Sequence, residues 1–407
     1  MSAVAGGRAP RPAPGLPLGT VDVLVGHATR AAASLRRLGG AAVDLDEDAL
    51  YTHLYLPLAL AARCATAPAV GVSAPEPVGA GYVCADVVED DRALLDALRR
   101  AHPDADPSGF AAIAQEFRLP VTPYETRPAP PRSPPADAAS GAGSPTGPPR
   151  HDFAAVGAAT GRRAPLDGVV VVDHCTMWAG PLCSRLLAFA GAEVVTVEPA
   201  ARRDGLRDAP DGGAMFRVLA GGKQRVELDL RAPDDRGTYD DLVRRADVRL
   251  AAFSPRVAPN LGIDAGALAD LNPAIVCVDI PAFGPRWGAR ANWLAYGGGV
   301  HAALGLGRPS GGPARTPAVS YPDPLAGFAA FAAVLAALER RGTGRGPSTV
   351  TASLADATAP LLDWPPADWS PDDDEVRALA ARLAPASDPP ANPFLVGSPT
   401  IASNGRA

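Results

Sequence analysis

The block from Leu166 to Leu230 constrains the fold of this chain more than any other segment. It reads LDGVVVVDHCTMWAGPLCSRLLAFAGAEVVTVEP, and after a polar loop it ends in GGKQRVELDL. The β-branched run Val169–Val172 is typical of a strand that is buried on both faces. A short helix, Leu182–Ala190, and a second strand, Glu193–Val197, follow with few residues between them. The block therefore predicts a strand, a helix and a second, parallel strand.

The same alternation continues toward the C-terminus. Further strands are expected at Val226–Leu230, Val248–Phe253, Ala274–Ile280 and Thr349–Leu354, and further helices at Tyr239–Ala246, near Leu268 and at Asp323–Arg341. Strands that alternate with helices favour an α/β fold with a doubly wound, mainly parallel sheet. We therefore expect one large α/β domain in this half of the chain.

A chain of 407 residues is long enough for two or three domains. Proline and glycine clusters suggest the boundaries between them. The predicted division is a disordered tail (1–18), a small α+β domain (19–126), a flexible linker (127–164), the large α/β domain (165–362) and a C-terminal extension (363–407).

Composition limits the functional classes. The net charge is −6 and there is no basic tract, so we do not expect nucleic acid as a partner. No apolar run approaches the roughly 18 residues that span a bilayer, so we do not expect a membrane partner. The five cysteines form no CxxC pair, the six histidines are scattered, and no signal-like apolar run follows the N-terminal arginines. We therefore predict no metal site and a cytoplasmic location.

The turn after the first strand of the block argues against a nicotinamide dinucleotide. A G-x-G-x-x-G fingerprint lets the backbone approach a pyrophosphate, whereas here the turn is Thr176-Met177-Trp178-Ala179-Gly180-Pro181. It holds a single glycine, and a tryptophan occupies a place where bulk is excluded. Glu198 ends the second strand at about the expected distance, so this cofactor stays a minor alternative. The Gly221-Gly222-Lys223 segment also lacks the spacing of a P-loop.

Lys223 is the only lysine, and the other 37 basic residues are arginines. One interpretation is that a lysine survives here by chance. The other is that the position needs a compact ammonium group, which the flat guanidinium of arginine does not supply.

From Leu166 to Leu362 the sequence resembles the family III CoA-transferases, a group that includes formyl-CoA:oxalate and carnitine CoA-transferases and the alpha-methylacyl-CoA racemases. The matching segments occur in the family's order. They are Ala179-Gly180-Pro181, Gly191–Val194 with Val197-Glu198-Pro199, Asp204 with Arg207, Gly222-Lys223, Phe253 with Pro255, Asn272-Pro273, Ala282-Phe283-Gly284, Asp323–Gly327, and Arg341 with Gly344 and Gly346.

The resemblance implies that the protein binds coenzyme A or an acyl-CoA as its substrate, together with a carboxylate. In that family the first loop and the Gly-Lys segment hold CoA. The residues that would do so here are Met177, Trp178, Ala179, Glu198, Arg207, Lys223 and Phe253. Lys223 could meet a phosphate as a point charge, and Trp178 could offer an aromatic face or simply pack in the core.

The catalytic segment departs from the family pattern. Family transferases use an aspartate that attacks the thioester, and counting back from Gly299 places Asn292 at this position. The racemases have His-Asp where this chain has Ala291-Asn292, and Ala252 replaces the family's asparagine before the phenylalanine. Three other acid or base candidates remain, each of which also suits a structural role: His301, Asp279 and Asp323.

Three functions stay open on this evidence. The first is a CoA-transferase that moves CoA between carboxylic acids. The second is a catalytically impaired homologue that binds acyl-CoA or pairs with an active subunit, and the third is an acyl-CoA racemase or isomerase. Residues 19–126 resemble the family's C-terminal half, which suggests swapped halves or a truncated second copy. The resemblance also implies a homodimer, or a heterodimer with a homologue.

Overall fold

The computed structural model describes about two thirds of the chain. The described residues are 19–39, 43–45, 47–54, 56, 73–126, 164–199, 203–209, 213–308, 313–317, 319–342, 349–363 and 392–396. The predicted tail, nearly all of the predicted linker and most of the predicted C-terminal extension lie outside these residues. Those three predictions therefore stay predictions.

The strands of the described residues form three sheets. In chain order they are β1 (Val43–Leu45), β2 (Glu76–Val78), β3 (Gly81–Ala85), β4 (Val121–Pro123), β5 (Val170–Asp173), β6 (Glu193–Glu198), β7 (Gln224–Glu227), β8 (Val248–Ala251), β9 (Val276–Asp279), β10 (Thr349–Thr351) and β11 (Phe394–Val396).

The helices lie before, between and after these strands. They are α1 (Thr20–Gly39), α2 (Glu47–Leu54), α3 (Glu89–Ala101), α4 (Pro107–Glu116), α5 (Ala179–Phe189), α6 (Ala214–Ala220), α7 (Pro233–Arg245), α8 (Val257–Leu261), α9 (Ala265–Leu271), α10 (Gly297–Ala303), α11 (Pro322–Gly342) and α12 (Leu354–Thr358). Short 3-10 helices occupy Gly205–Asp208, Pro285–Asn292 and Ala359–Asp363.

The central sheet has six strands in the order β10-β9-β8-β5-β6-β7, and every neighbouring pair is parallel. The predicted doubly wound parallel sheet is therefore confirmed. The strand order reverses between β5 and β8, because β6 and β7 follow on one side of β5 whereas β8, β9 and β10 follow on the other side. In open parallel sheets ligands bind at this switch point, beyond the carboxyl ends of the strands. The loops after β5 and β8 are thus the first place to look for a site.

Both faces of the sheet are covered, which explains the uninterrupted β-branched run in β5. Val171 belongs to a cluster that α1, α5 and α11 cover. Val172, its neighbour, belongs to a second cluster on the opposite face, under α7 and α9. Successive side chains of a strand point to opposite faces, so both must be apolar here.

The long helix α11 runs through the larger cluster, and α1 packs along it. An ion pair between Arg37 and Glu339, 2.9 Å apart, joins the ends of the two helices. By length and composition the segment Pro322–Arg341 could cross a membrane, but 72% of the tested window is buried inside the protein. A buried core helix has the same composition, so this apolar character is weak evidence for a membrane span.

A smaller α+β unit precedes the large sheet, as predicted from the sequence. Its antiparallel sheet β2-β3-β4 is covered by α3 and α4, and the pair encloses its own apolar cluster. Gln115 on α4 ties this unit to the larger one: its amide donates to the backbone oxygen of Leu294 at 2.7 Å and accepts from the Leu294 backbone nitrogen at 2.7 Å. The unit therefore lies against the segment just before α10.

Helix α4 ends in an unusual way. The amide of Arg118 donates to the oxygen of Gln115, and the amide of Leu119 donates to the oxygen of Ala114. These are the two bonds of a Schellman C-cap, in which the left-handed residue is usually glycine. Here that residue is Arg118, with φ 62°. A side chain in this conformation costs roughly 1–2 kcal/mol.

Most predicted elements of the large unit are present, with ends that shift by a few residues. The sequence did not predict α1 or the two-stranded sheet of β1 and β11, in which Val43 pairs with Val396. Phe394 of β11 packs on Phe331 with ring centres 5.2 Å apart. Apolar residues of α1, β1 and α2, together with Phe394, thus join the core of the large unit, although the predicted boundaries placed them in other domains. The domain boundaries themselves stay predictions.

Candidate functional site

The loop after β5 is held in a strained conformation at the switch point. Met177 has φ 68°, which residues other than glycine rarely adopt. Its amide donates to Asp204 Oδ2 at 3.1 Å, so the loop after β6 fixes the loop after β5. At the strand end, Asp173 Oδ1 accepts from the Cys175 amide at 2.9 Å. Backbone strain of this kind persists where the surroundings over-determine it, and it is common at functional sites.

Two arginines share one carboxylate at the ends of β6 and β7. Arg207 donates to both oxygens of Glu198, and Arg225 lies 3.5 Å from Glu198 Oε2. Both guanidinium carbons lie over the ring of Phe216, at 4.2 and 4.8 Å from its centre. Burial alone would raise the pKa of Glu198, but the bonds from Arg207 and Asp204 and the nearby charges hold that pKa below its usual value. The two guanidinium groups thus balance the carboxylates of Glu198 and Asp204, and arginines of this kind can also donate to a phosphate.

Lys223 points into the protein. Its Nζ lies 2.7 Å from Ser184 Oγ, 3.1 Å from the backbone oxygen of Pro181 and 3.5 Å from Asp173 Oδ2. The side chain is only 4% exposed, and Asp173 is fully buried. Burial lowers the pKa of the ammonium group, and the charge of Asp173 opposes this. Its three protons thus have internal acceptors, and the predicted contact with a phosphate of CoA stays a prediction.

Trp178 and Ala179 begin α5 and are almost completely buried. The indole nitrogen of Trp178 has no hydrogen-bond partner among the described residues. Gly180 is required next, because a Cβ there would lie 2.3 Å from Cys175 Sγ. On the other side a Cβ at Gly327 would lie 2.9 Å from the Ala179 oxygen, so α11 packs directly on the start of α5.

Phe253 follows β8, and its ring centre lies 5.4 Å from that of His174, which follows β5. The two loops at the switch point are therefore in contact through these rings. Asp279, one of the alternative bases, forms an ion pair with the buried Arg249. That pair engages the Asp279 carboxylate, although the side chain remains 39% exposed.

Two of the three predicted catalytic residues are poorly placed for chemistry. Asn292 is exposed, and its described contact is through the backbone, whose oxygen accepts from Arg118 Nη1 at 3.2 Å. His301 is completely buried, with Nδ1 bonded to the Tyr321 hydroxyl and Nε2 3.3 Å from the Arg315 oxygen. Burial lowers the pKa of His301 to about 3, so it is neutral and enclosed.

Asp323 is the one predicted catalytic residue of the three that carries a carboxyl group. It keeps an intermediate exposed fraction, yet burial raises its pKa to about 7 against the stabilising bonds from Ser320 and the Gly297 amide. Asp323 lies four residues before Gly327, which touches Ala179, so both are on one face of α11 about 6 Å apart. The carboxyl group therefore lies within one helical turn of the contact with α5.

The space beside Gly297 is already filled. A Cβ at this position would lie 1.9 Å from Ser320 Oγ and 2.1 Å from Asp323 Oδ2. Because no side chain fits at Gly297, the carboxylate at the start of α10 comes from α11 instead. The count back from Gly299, which gives Asn292, does not lead to this carboxyl group.

The small α+β unit supplies a second carboxyl group to the same helix start. Asp86 Oδ2 accepts from the Gly299 amide at 3.1 Å, and Thr122 Oγ1 donates to the Gly299 oxygen at 3.0 Å. Burial raises the pKa of Asp86, and the charge of Asp86 adds to the rise at Asp323. Like charges that share a site disfavour each other's ionised form. Residues far apart in the sequence thus meet at α10.

Replacing Gly297 with alanine is expected to displace the carboxyl group of Asp323. The added methyl group overpacks the site, and such insertions cost about 1–3 kcal/mol. We expect a lower midpoint in urea denaturation and a changed pKa at position 323, measured by carboxyl-carbon NMR. Gly298→Ala, one residue further along the same helix, is the comparison. Unchanged stability and an unchanged Asp323 pKa would contradict the described packing.

Met177, Glu198, Arg207 and Phe253 lie at the carboxyl ends of β5, β6 and β8 or in the loops after them, whereas Lys223 precedes β7. Asn292 and His301 lie in the segment before α10 and in α10. Sequence reasoning missed Asp173, Ser184, Asp86 and Arg225. Asp173 and Asp86 share a sequence signal, because Asp173 is the last residue of the buried strand β5 and Asp86 directly follows the buried strand β3. Among the described residues, no group of three or more histidine, cysteine, aspartate or glutamate side chains could hold a metal ion.

A family model described as CoA-transferase family III matches residues 166–393, which is more than half of the chain. The chain belongs to CoA-transferase family III. The resemblance inferred from the motifs is thus confirmed, and the matched region contains the central sheet, the loops at its carboxyl edge and Asp323.

Curated relatives match over the same region. An acetyl-CoA:oxalate CoA-transferase from Acetobacter aceti is 30% identical over 217 residues, which is 51% of this chain and 55% of the relative. A formyl-CoA:oxalate CoA-transferase from Escherichia coli is 31% identical over 206 residues, or 48% and 49% of the two chains. This family III chain therefore spans about half the length of the curated relatives it matches.

Solved structures match over a similar share of the chain. A hypothetical protein from Mycobacterium tuberculosis is 29% identical with a TM-score of 0.46, covering 49% of this chain and 58% of the other. A CAIB/BAIF family protein from Brucella suis is 28% identical with a TM-score of 0.45, covering 49% and 56%.

Proposed function

We propose that this family III protein binds a CoA thioester at the carboxyl edge of its sheet and transfers CoA between carboxylic acids, with Asp323 as the nucleophile. The observation that carries the proposal is the position of Asp323. Asp323 is a residue of intermediate exposure whose carboxyl group has its pKa raised by burial to about 7, and it lies one helical turn from the contact of α11 with α5.

The loops around the sheet edge support binding of CoA. Asp204 accepts from the Met177 amide and fixes Met177 in its strained conformation. Arg207 and Arg225, which both pair with Glu198, lie beside Asp204. Phosphates of CoA would meet Arg207, which can donate in a bidentate fashion. The exposed part of Phe253 would lie along the pantetheine arm.

The proposed chemistry proceeds through carboxyl exchange on the enzyme. An oxygen of the Asp323 carboxylate attacks the thioester carbon, the carbon–sulfur bond breaks and the CoA thiolate leaves an acyl-aspartyl anhydride. The thiolate then attacks the Asp323 carbonyl carbon, which releases the first carboxylate and leaves CoA bound to Asp323 as a thioester. The acceptor carboxylate repeats these steps in reverse and takes the CoA. No net proton is gained or lost.

The second candidate is a catalytically impaired acyl-CoA-binding homologue or partner subunit. The exposed, neutral amide of Asn292 at the position expected for the nucleophile favours it. The acyl-CoA racemase or isomerase has less support, since His301 is enclosed and Asp279 is paired with Arg249. A cytoplasmic location and assembly with a second copy or a homologue stay predictions.

An exchange assay separates these functions. The purified protein is incubated with acetyl-CoA, formyl-CoA or succinyl-CoA and with labelled oxalate, formate or acetate, and labelled acyl-CoA is measured. Hydroxylamine traps any enzyme adduct, which peptide mass spectrometry assigns to a residue. Exchange with an adduct at Asp323 supports the proposal. CoA binding without exchange or adduct supports the impaired homologue, and deuterium uptake at the acyl α-carbon supports the isomerase.

Both activity and stability should depend on pH near neutrality. The Asp323 nucleophile must be ionised, so exchange should rise as pH increases through about 7.

A raised pKa also means that the folded state binds this proton more tightly than the unfolded state does. The stabilisation is fully present below the ordinary value of 3.8 and is lost as pH rises through about 7. The drop in melting temperature from pH 5 to pH 8 should therefore be smaller in Asp323→Asn than in the wild type.

A further inference from the structure

The first turn of α10 is contacted by two carboxyl groups, and neither of them belongs to that helix. A Cβ at Gly297 would lie 2.1 Å from Asp323 Oδ2, so the carboxyl group of α11 lies directly against this residue. Asp86 Oδ2 accepts from the Gly299 amide at 3.1 Å. The amides of these two glycines are about 5 Å apart in a helix. A single turn therefore holds both carboxyl groups.

The small unit fixes Asp86 in this position. Asp86 directly follows β3, and its backbone amide donates to the Pro120 oxygen at 3.1 Å. Its Oδ1 accepts from Cys84 Sγ at 3.5 Å, while Oδ2 faces the Gly299 amide. Thr122 of β4 donates to the Gly299 oxygen at 3.0 Å. Neighbouring strands of one sheet thus hold both sides of the contact with α10.

The surroundings of the two carboxyl groups leave their mutual repulsion uncompensated. The buried titratable side chains on or beside α10, β3, β4 and the start of α11 are uncharged at pH 7, because burial lowers the pKa of the histidine and raises those of the thiol and the phenols: His301, Cys84, Tyr124 and Tyr321. Two further carboxylates on neighbouring segments are already in ion pairs, Glu125 with Arg290 and Asp356 with Arg286. Among the described residues, the charge that acts on Asp323 is that of Asp86.

We propose that Asp86 is a positioning residue for the reaction, through which the small unit sets the pH at which Asp323 becomes the attacking carboxylate. Two carboxyl groups that share one site titrate as a pair, and the ionised form of one disfavours the ionised form of the other. The effect on exchange rests on the proposed function, whereas the coupling of the two carboxyl groups does not. The site in the large unit is therefore complete only with the small unit against α10.

Asp86→Asn separates the charge from the contact. The amide oxygen can still accept from the Gly299 amide, so the two units stay joined while the charge is lost. The pKa of Asp323, followed by carboxyl-carbon NMR, should fall by roughly one pH unit. Exchange at pH 6 should then rise roughly five-fold, because the ionised fraction of Asp323 increases by that factor. A residue that only joined the two units would change neither the pKa nor the pH profile.

Two further variants complete the experiment. Asp90→Asn is the matched control, because Asp90 is an exposed acid in the first turn of α3 on the same unit, and both measurements should stay at their wild-type values. Asp323→Asn tests the reciprocal effect: coupling between two sites is mutual, so the pKa of Asp86 should fall in this variant.

The two proposals fail in different ways. If the pKa of Asp323 falls in Asp86→Asn but the wild-type protein exchanges no CoA, the coupling stands and the proposed function is wrong. If exchange occurs but the pKa of Asp323 is the same in Asp86→Asn as in the wild type, or the pKa of Asp86 is unchanged in Asp323→Asn, the inference about Asp86 is overturned.

Discussion

Replacing Asp323 with asparagine is expected to reduce CoA exchange by roughly 10⁴- to 10⁶-fold, the range in which loss of a nucleophile falls. Asparagine has the same shape, and its amide oxygen can still accept from the Gly297 amide. The amide cannot attack a thioester, however, and forms no anhydride. The measurement is exchange of label between acyl-CoA and carboxylate, together with loss of the hydroxylamine-sensitive adduct. The affinity for CoA should stay within a few-fold of the wild-type value, because the loops that would hold CoA are unchanged.

Two variants control this experiment. Asp264→Asn removes a carboxylate that also caps a helix, since Asp264 Oδ1 accepts from the amides of Gly266 and Ala267. It lies at the start of α9, on the opposite face of the sheet, and should leave exchange intact. Asn292→Asp places a carboxylate at the position expected from the resemblance and should not raise the rate, because Asn292 is exposed. The nucleophile is not Asp323 if the Asp323→Asn variant exchanges CoA at close to the wild-type rate, or if Asn292→Asp exchanges CoA much faster than the wild type.

The central strands of the sheet were predictable from sequence because they are buried and mostly apolar. Val170–Asp173 and Val276–Asp279 stand out between polar loops for this reason. The two strands β1 and β11 were not predictable, because their pairing joins residues 43–45 and 394–396 across almost the whole chain. Local patterns carry no information about such a contact.

The site was predictable only where its residues follow one another along the chain. Met177, Glu198 and Arg207 lie in or near the first two loops of a continuous pattern, and the structure brings them together through Asp204. Asp323 was one of several acids that the sequence could not rank. What distinguishes it is burial and the lack of space at Gly297, which depend on how α10 and α11 pack.

Lys223 is a residue whose surroundings could not be predicted from the sequence. As the only lysine, beside a family motif, it was expected to meet a phosphate of CoA. In the folded chain its ammonium group is enclosed by Asp173, Ser184 and Pro181. These contacts join the end of β5, the first two turns of α5 and the residue that precedes β7. Lys223 therefore positions the loop that carries Met177, and an effect on CoA binding would be indirect.

Lys223→Met is accordingly expected to lower the free energy of unfolding by about 3–5 kcal/mol, the usual cost of leaving a buried charge without its partner. Asp173 is fully buried and would keep only the weaker bonds from Ser184, Thr196 and the Cys175 amide. The measurement is urea denaturation at pH 7, with the slope on urea checked for two-state behaviour.

The double variant Asp173→Asn with Lys223→Met should recover much of this loss, because it removes the uncompensated charge as well. Gln224→Met, at the exposed neighbouring position in β7, is the control and should stay within about 0.5 kcal/mol of the wild type. The alternative, in which Lys223 contacts a phosphate of CoA, predicts a different result. In that case Lys223→Met will fold with nearly the stability of the wild type and bind CoA weakly, and the double variant will bind CoA no better. That result would show that the loop opens enough in solution for the ammonium group to leave Asp173.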